Sequence, residues 1–204
     1  MLFRSIDSIN LAAVKHPDCP DDVLEEIADH TYSNSVIFFE INTSILNHPK
    51  IKQFHFGKNI FLNPAWNIGV NQSSTDIVCI LNDDLHFDLK LFYKVLELYT
   101  PDMGALGLSS GKVEWGQTPI TNGNIDFIPF TGQNCIGFGE LMFVHKQNWR
   151  NIPEELTVGF GDNFIFDYNY FGGKQNYFIS NMWHYHKGST TVSTFASEER
   201  QILY

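Results

Sequence analysis

The chain has 204 residues, with 13 Lys and Arg against 23 Asp and Glu and a formal net charge of -10 at pH 7. Hydrophobic residues make up 43% of it and aromatics 15%, including 18 Phe and 8 Tyr. This balance excludes a disordered chain, the length allows one domain with a sizeable core, and the charge sets the surface as a whole against nucleic acid and anionic membranes.

The three cysteines, Cys19, Cys79 and Cys135, are odd in number and widely spaced, without a CxxC pair. A disulfide framework and a structural zinc site are both disfavoured. Met1 to Asp7 lacks the apolar stretch of a signal peptide, and no later run is long enough to span a bilayer. We expect a soluble protein of a reducing cytosol.

In chain order, residues 2–6 read as a short first strand with Arg4 near its end. A helix follows, with Pro20 in its first turn, Asp21 and Asp22 at the positive end of its dipole, and Val23, Leu24, Ile27 and Ala28 on one face. Val36 to Phe39 reads as a second strand that runs into polar Glu40, Asn42, Thr43 and Ser44. Pro49 marks a turn and Ile51 to Phe56 a third strand. Asn59 to Ser74 reads as a loop entering a helix that Pro64 helps to start.

Residues 76–81 are the central strand. The apolar run Ile77-Val78-Cys79-Ile80-Leu81 fits a strand buried on both faces, as in a parallel sheet under helices. It delivers Asn82-Asp83-Asp84 to the carboxyl edge of the sheet, where open α/β folds bind ligands. Asp88 can cap the next helix, whose apolar face is Leu89, Phe92, Val95, Leu96 and Tyr99. Pro101 ends it, and Met103 to Leu108 returns to strand. Residues 110–139, rich in Gly, Thr, Asn and Gln, read as loops and a hairpin over the sheet edge. Gly139 to Val144 is a further strand. Residues 161–171 form a helix closed by Gly172-Gly173, Tyr177 to Ser180 a strand, and Ser193 to Tyr204 a short terminal helix. Strands alternating with helices give an α/β sandwich.

Four motifs carry chemistry. Asn82-Asp83-Asp84 is a plain turn or a pair of carboxylates that repel unless a hard divalent cation joins them to a diphosphate. Asn59, Asn63 and Asn67 lie on the loop and helix before it; buried amides are demanding to satisfy, so the cluster implies a ligand or a tightly bonded loop. Asp162, after Gly159-Phe160-Gly161, is a helix N-cap or a general base at a cleft. His184 and His186 alternate on an extended segment and point the same way, as core histidines or as metal ligands. Lys187 and the hydroxyls of Ser189 to Thr191 suit phosphate oxygens.

In this order the pieces resemble a glycosyltransferase of the GT-A type, similar to the inverting family 2 enzymes. Asn59, Asn67 and Gly69 match the spacing of that family's donor loop. Asn82-Asp83-Asp84 matches its DXD-like triplet, Cys135 to Val144 its Gly-rich strand, and Gly161-Asp162-Asn163 its acidic motif. His186 matches the histidine that closes the metal site. The resemblance covers about residues 36 to 191. Phe61 stands where the loop normally has glycine, and Asp162-Asn163 where the acidic motif has Glu-Asp. Ile41, with Asn42 beside it, stands where an aspartate often reads the base. His16-Pro17 and the helix after it replace the usual first crossover, with residues 8–34 matching poorly.

The resemblance implies an α/β, GT-A-like three-layer sandwich with a central, mostly parallel sheet in a single domain. About residues 1–109 would form the nucleotide-sugar half and 110–204 the acceptor half. It implies transfer of a hexosyl or deoxyhexosyl group, with inversion, from UDP- or another nucleoside diphosphate sugar to a glycan or glycoprotein hydroxyl. Asp162 would be the base. Mn2+ or Mg2+ would be held by Asp84 and His186, with His184 as the alternate. Arg4, Asn42, Asn59, Asn67, Asn82, Asp83 and Lys187 would contact the donor. A nucleotidyltransferase would want a glycine-rich basic loop after the first strand, where residues 4–20 offer only Arg4 and Lys15. A non-catalytic carbohydrate-binding protein would not need Asp83, Asp84, Asp162 and His186 together.

Overall fold

The computed structural model describes residues 9–15, 36–40, 49, 51–56, 60–82, 85–108, 124–130 and 138–186. In chain order its elements are β1 (Ile9–Lys15), β2 (Val36–Glu40), β3 (Ile51–His55), α1 (Leu62–Gln72), β4 (Ile77–Asn82), β5 (Leu85–Phe87), α2 (Lys90–Leu98), β6 (Met103–Leu108), β7 (Asp126–Pro129), β8 (Leu141–His145), α3 (Gly161–Phe171), β9 (Gln175–Ser180) and β10 (His184–His186). Eight strands form one sheet in the order β3-β2-β1-β4-β8-β6-β9-β7, and β5 pairs with β10 in a separate ribbon.

The central strand decides the layering. Its residues alternate between two cores, as a period of two requires. Ile77, Cys79 and Leu81 pack with Leu91, Phe92 and Val95 of α2. Val78 and Ile80 pack with Trp66 and Val70 of α1 and with Ile165 and Phe166 of α3. β8 repeats the division, with Leu141 and Phe143 on the α2 side and Met142 and Val144 on the other. Helices therefore cover both faces of the sheet, the three-layer α/β arrangement expected. Each large apolar side chain buried this way contributes about 1.5–3 kcal/mol before its entropy cost.

β1 is parallel to both β2 and β4, and β2 is parallel to β3. β8 lies antiparallel between β4 and β6, and β7 antiparallel beside β9. The sheet is thus mostly parallel with two reversed strands. The run 77–81 looks the same in the sequence whether its neighbour runs parallel or antiparallel, because helices cover both faces either way.

Ile9–Lys15 corrects the reading of the N-terminal region. The first strand is expected at residues 2–6 and none at 9–15, yet this segment is a strand next to β4. Its Ala12 and Ala13 are weak strand formers, and pairing with strands on both sides overrides that preference. The short first strand expected at 2–6, the helix after Pro20 and the terminal helix from Ser193 lie outside the described residues. Of the expected 110–139 region, residues 124–130 and 138–139 are described, and β7 within it forms a sheet edge.

Local start signals hold up well. Pro64 sits in the first turn of α1, where a missing N–H costs nothing. Asp88 Oδ1 accepts from Lys90 N at 3.0 Å, the expected cap of α2. α3 spans the expected residues, and Gly173, with φ of 80°, makes the turn after it.

Cys79 is fully buried, and burial pushes its thiol well above the usual range. Burial likewise raises the Tyr99 phenol. A group with a raised folded pKa keeps its proton in the native state after the unfolded chain has lost it. The contribution of the neutral Cys79 thiol is therefore complete below pH about 8.5 and declines as pH rises beyond it. Iodoacetamide at pH 8 should leave Cys79 unmodified in the native protein and alkylate it in urea, as read by peptide mass; native modification would mean the strand is not buried.

Candidate active site

The carboxyl end of β4 is where the polar groups gather. Asn82 is its last residue, half-buried and paired with Val14 of β1. The expected donor residues Arg4, Asn42, Asn59, Asp83 and Lys187 and the expected metal ligand Asp84 lie outside the described residues. β5 begins one position past Asp84, with Leu85 and Phe87 buried and His86 exposed. It pairs antiparallel with β10 so that Leu85 faces His186, His86 faces Tyr185 and Phe87 faces His184. A segment a hundred residues on in the chain thus brings His186 opposite the residue that follows Asp84. His184 is buried, with Nδ1 3.5 Å from Met182 O.

Asp162 arrives from another direction. It lies in the first turn of α3, while Phe160 occupies the N-cap position without a side-chain cap. The capping alternative therefore gives way to a different contact: Asp162 Oδ2 accepts from Gly139 N at 3.1 Å. A Cβ on Gly139 would meet the Trp66 ring at 3.0 Å, so the close seat of this backbone against Trp66 suits glycine. Gly139 stands in a short 3-10 turn, Phe138–Glu140, that enters β8. Leu141 of β8 is in register with Leu81, the neighbour of Asn82. The carboxylate of Asp162 is thereby tied to the same sheet edge as Asn82. Among the described residues its other oxygen, Oδ1, has no hydrogen-bond partner.

The loop before Asp162 is held by α1. Gly159 and Phe160 both have positive φ, 78° and 55°. For phenylalanine this left-handed conformation costs about 1–2 kcal/mol. Asn63, fully buried, offsets that cost: its Nδ2 donates to Leu156 O at 3.0 Å and Gly159 O at 2.9 Å. Its backbone N also donates to Thr157 O at 3.1 Å. A Cβ on Gly161 would lie 2.2 Å from Asn63 Oδ1, so α3 can begin this close to α1 only with glycine there. Asn67, one turn on, binds Ile152 both ways, Nδ2 to O and N to Oδ1, each at 2.9 Å. For Asn63 and Asn67, the asparagine cluster takes the tightly bonded loop of the two expected alternatives. The sequence places Asn63 in that cluster without a role of its own, and it gives no separate role to Gly139. Asparagine directly before a helix-starting proline was the available signal for the first; for Gly139 no local signal exists.

Solved structures with the same architecture were found. Residues 1–349 of S. aureus TarS in complex with UDP-GlcNAc superimpose with a TM-score of 0.65 at 11% identity, covering 95% of this chain and 63% of that one. GalNAc-T7 with UDP, GalNAc and Mn2+ gives 0.59 at 11% identity, over 88% of this chain and 43% of that one. The mannosyltransferase PcManGT from Pyrobaculum calidifontis, with GDP-Man and Mn2+, gives 0.59 at 15% identity, over 82% and 53%. The fold is that of the GT-A glycosyltransferases. No protein-family model and no curated protein matches the sequence. The chain spans 60% of another structure of S. aureus TarS 1–349. Among the described residues of this GT-A fold, no helix is long and apolar enough to cross a membrane. No three His, Cys, Asp or Glu of the described residues gather as a metal site.

The clamp between α1 and the 156–161 loop can be tested by a double-mutant cycle. Gly161→Ala should destabilise by about 1–3 kcal/mol in urea unfolding, from the clash with a bonded, buried amide. In an Asn63→Ala background the same substitution should cost markedly less. Additive costs would show that the two residues do not meet.

Proposed function

We propose that the protein is a metal-dependent glycosyltransferase that moves a sugar from a nucleoside diphosphate sugar to an acceptor hydroxyl with inversion. The observation that carries this reading is the β5–β10 register, which sets His186 opposite Leu85, the residue that follows Asp83-Asp84 in the sequence. The carboxylate of Asp84 and the imidazole of His186 are donors that Mn2+ or Mg2+ accepts. When bound, the cation supplies charge stabilisation to the departing diphosphate.

The rest falls to side chains. Asn82 and Asp83 orient the ribose and the donor, and Asp84 and His186 hold the metal, with His184 as the alternate. Lys187 meets phosphate oxygens, and Arg4, Asn42 and Asn59 complete the donor contacts. Asn67 joins them on the donor loop, with its amide bonded to the Ile152 backbone. Asp162 Oδ1 takes the proton of the acceptor hydroxyl as its oxygen bonds to the anomeric carbon. The bond from that carbon to the diphosphate oxygen breaks, and the nucleoside diphosphate leaves with its electron pair. The acceptor belongs to a glycan or glycoprotein, since the net charge of -10 opposes a nucleic-acid partner.

The first measurement is release of nucleoside diphosphate from a panel of UDP- and GDP-sugars, with Mn2+ and with EDTA. Metal-dependent release from at least one is expected, and its absence from all would sink the reading. Asp84→Ala should remove metal-dependent donor binding in calorimetry; unchanged affinity takes Asp84 out of the metal site. Asp162→Asn should keep donor binding and slow transfer by about 10²–10⁴-fold. Retained turnover would move the base elsewhere.

A further inference from the structure

We infer that Trp66 is a positioning residue for the proposed base: its indole edge holds the Gly139 turn, and the Gly139 N–H in turn fixes the Asp162 carboxylate. The inference rests on Asp162 as the base of the proposed transfer. Three groups meet at one point. A Cβ on Gly139 would lie 3.0 Å from Trp66 Cη2, 3.5 Å from Trp66 Cζ2 and 3.6 Å from Asp162 Oδ2. Gly139 N donates to that same Oδ2 at 3.1 Å. The φ of Gly139 is not in the left-handed region. The indole, and not the backbone, therefore excludes a side chain there.

The indole is built to act as a stop. Trp66 is 2% exposed and packs in one core cluster with Val70, Val78, Ile80 and Met142. Its Nε1 is buried without a hydrogen-bond partner among the described residues. A buried indole N–H normally finds an acceptor, and a bare one is a cost. Phenylalanine would fill an apolar core without that cost, but it lacks the outer edge that reaches Gly139. α1 carries Asn63, Trp66 and Asn67 at i, i+3 and i+4, on one face. Asn63 binds the carbonyls of Leu156 and Gly159, just before α3, and Asn67 binds Ile152. The helix thus fixes Asp162 by two routes, through the loop that leads into α3 and through the turn that holds the carboxylate.

The consequence is chemical. An N–H bond to a carboxylate is about twice as strong as one to a neutral acceptor. With Oδ2 tied, the carboxylate cannot spin about its Cβ–Cγ bond, and Oδ1 stays in one place. A general base must meet its proton within hydrogen-bond reach, and a misplacement of about 1 Å costs about 10²-fold in rate. Trp66 is packed too firmly to yield to a side chain at position 139. The turn would move instead and take its N–H with it. Trp66 and Gly139 therefore act on proton transfer from the acceptor and not on donor binding.

The test joins amide hydrogen exchange, read by NMR on the full chain, to hydrolysis of UDP- and GDP-sugars in Mn2+, with water standing in for the acceptor. Trp66→Phe removes the edge that meets Gly139. It should speed exchange of the residue 139 amide about tenfold and lower kcat for hydrolysis about 10- to 100-fold, with UDP or GDP affinity unchanged in calorimetry. Gly139→Ala should do the same, because its methyl pushes the turn off the indole. In the double variant the methyl takes the space that the indole edge leaves, and both readings should return to within about threefold of wild type. In an Asp162→Asn background, Trp66→Phe should lower the residual rate no further. Unchanged exchange and kcat in Trp66→Phe, losses that multiply in the double variant, or an undiminished loss in the Asp162→Asn background overturns the inference. Circular dichroism checks the fold, and if Trp66→Phe does not fold, Gly139→Ala carries the same readings. No hydrolysis of any donor by the wild type sinks the proposed function. A wild type that hydrolyses and a Trp66→Phe variant that matches it sink only the positioning role.

Discussion

A single buried amide, Asn63, joins the two sides of the candidate site. The 156–161 loop has to turn back sharply enough to start α3 against α1, and the turn leaves carbonyls that must find donors away from water. Asn63 Nδ2 supplies two of those bonds and its backbone N a third. Each such bond is worth only about 0.5–1.5 kcal/mol net, but leaving a buried carbonyl bare costs about 1–3 kcal/mol. The clamp is therefore stronger as a constraint than as a source of stability. Its own Oδ1 is buried without a hydrogen-bond partner among the described residues, a cost the arrangement carries.

The same device recurs away from the site. Asn148 Nδ2 donates to Pro101 O and Met103 O, and Asn169 Nδ2 to Asn148 O and Ile165 O. Asn176 accepts from Ala105 N and donates to Phe166 O, fastening α3 to the sheet. An amide can donate and accept at once without a charge to desolvate, so it suits irregular backbone packed against a dry core. Tyr99 completes this end of the molecule by donating to Gly104 O while its ring stacks on His145 at 4.8 Å. Lys146 and Lys174 add charged donors to Ser73 O and Pro101 O, and the Asp162 carboxylate accepts from Gly139 N at the sheet edge.

Much of the fold was legible because it rests on local periodicity. The apolar run 77–81, the helical spacing of Phe92, Val95 and Tyr99, and the Gly159 to Gly173 segment each carry their structure in adjacent residues. β1 was not legible, since Ala12 and Ala13 say little until β2 and β4 pair with them on either side. The reversed direction of β8 was not legible either, because a strand covered on both faces reads alike in both directions. In the candidate site, the residue types at Asn82, Asp162 and His186 could be picked out, and the pairings that hold them, with Val14, Gly139 and Leu85, could not.

The sequence by itself determined a two-faced central strand ending in carboxylates, a helix beginning at Gly161, and histidines alternating at the far end of the chain. Those follow from neighbours within a few residues, where side-chain periodicity and turn chemistry act directly. Only the tertiary structure decided that β10 lies against β5 and that Asp162 bonds Gly139. It alone turned Asn63 and Asn67 toward the 152–161 backbone and set Phe160 in a left-handed conformation beside Asp162. These are contacts across long stretches of chain, set by packing and by the need to satisfy buried backbone groups. No local pattern encodes which carbonyl an amide will meet.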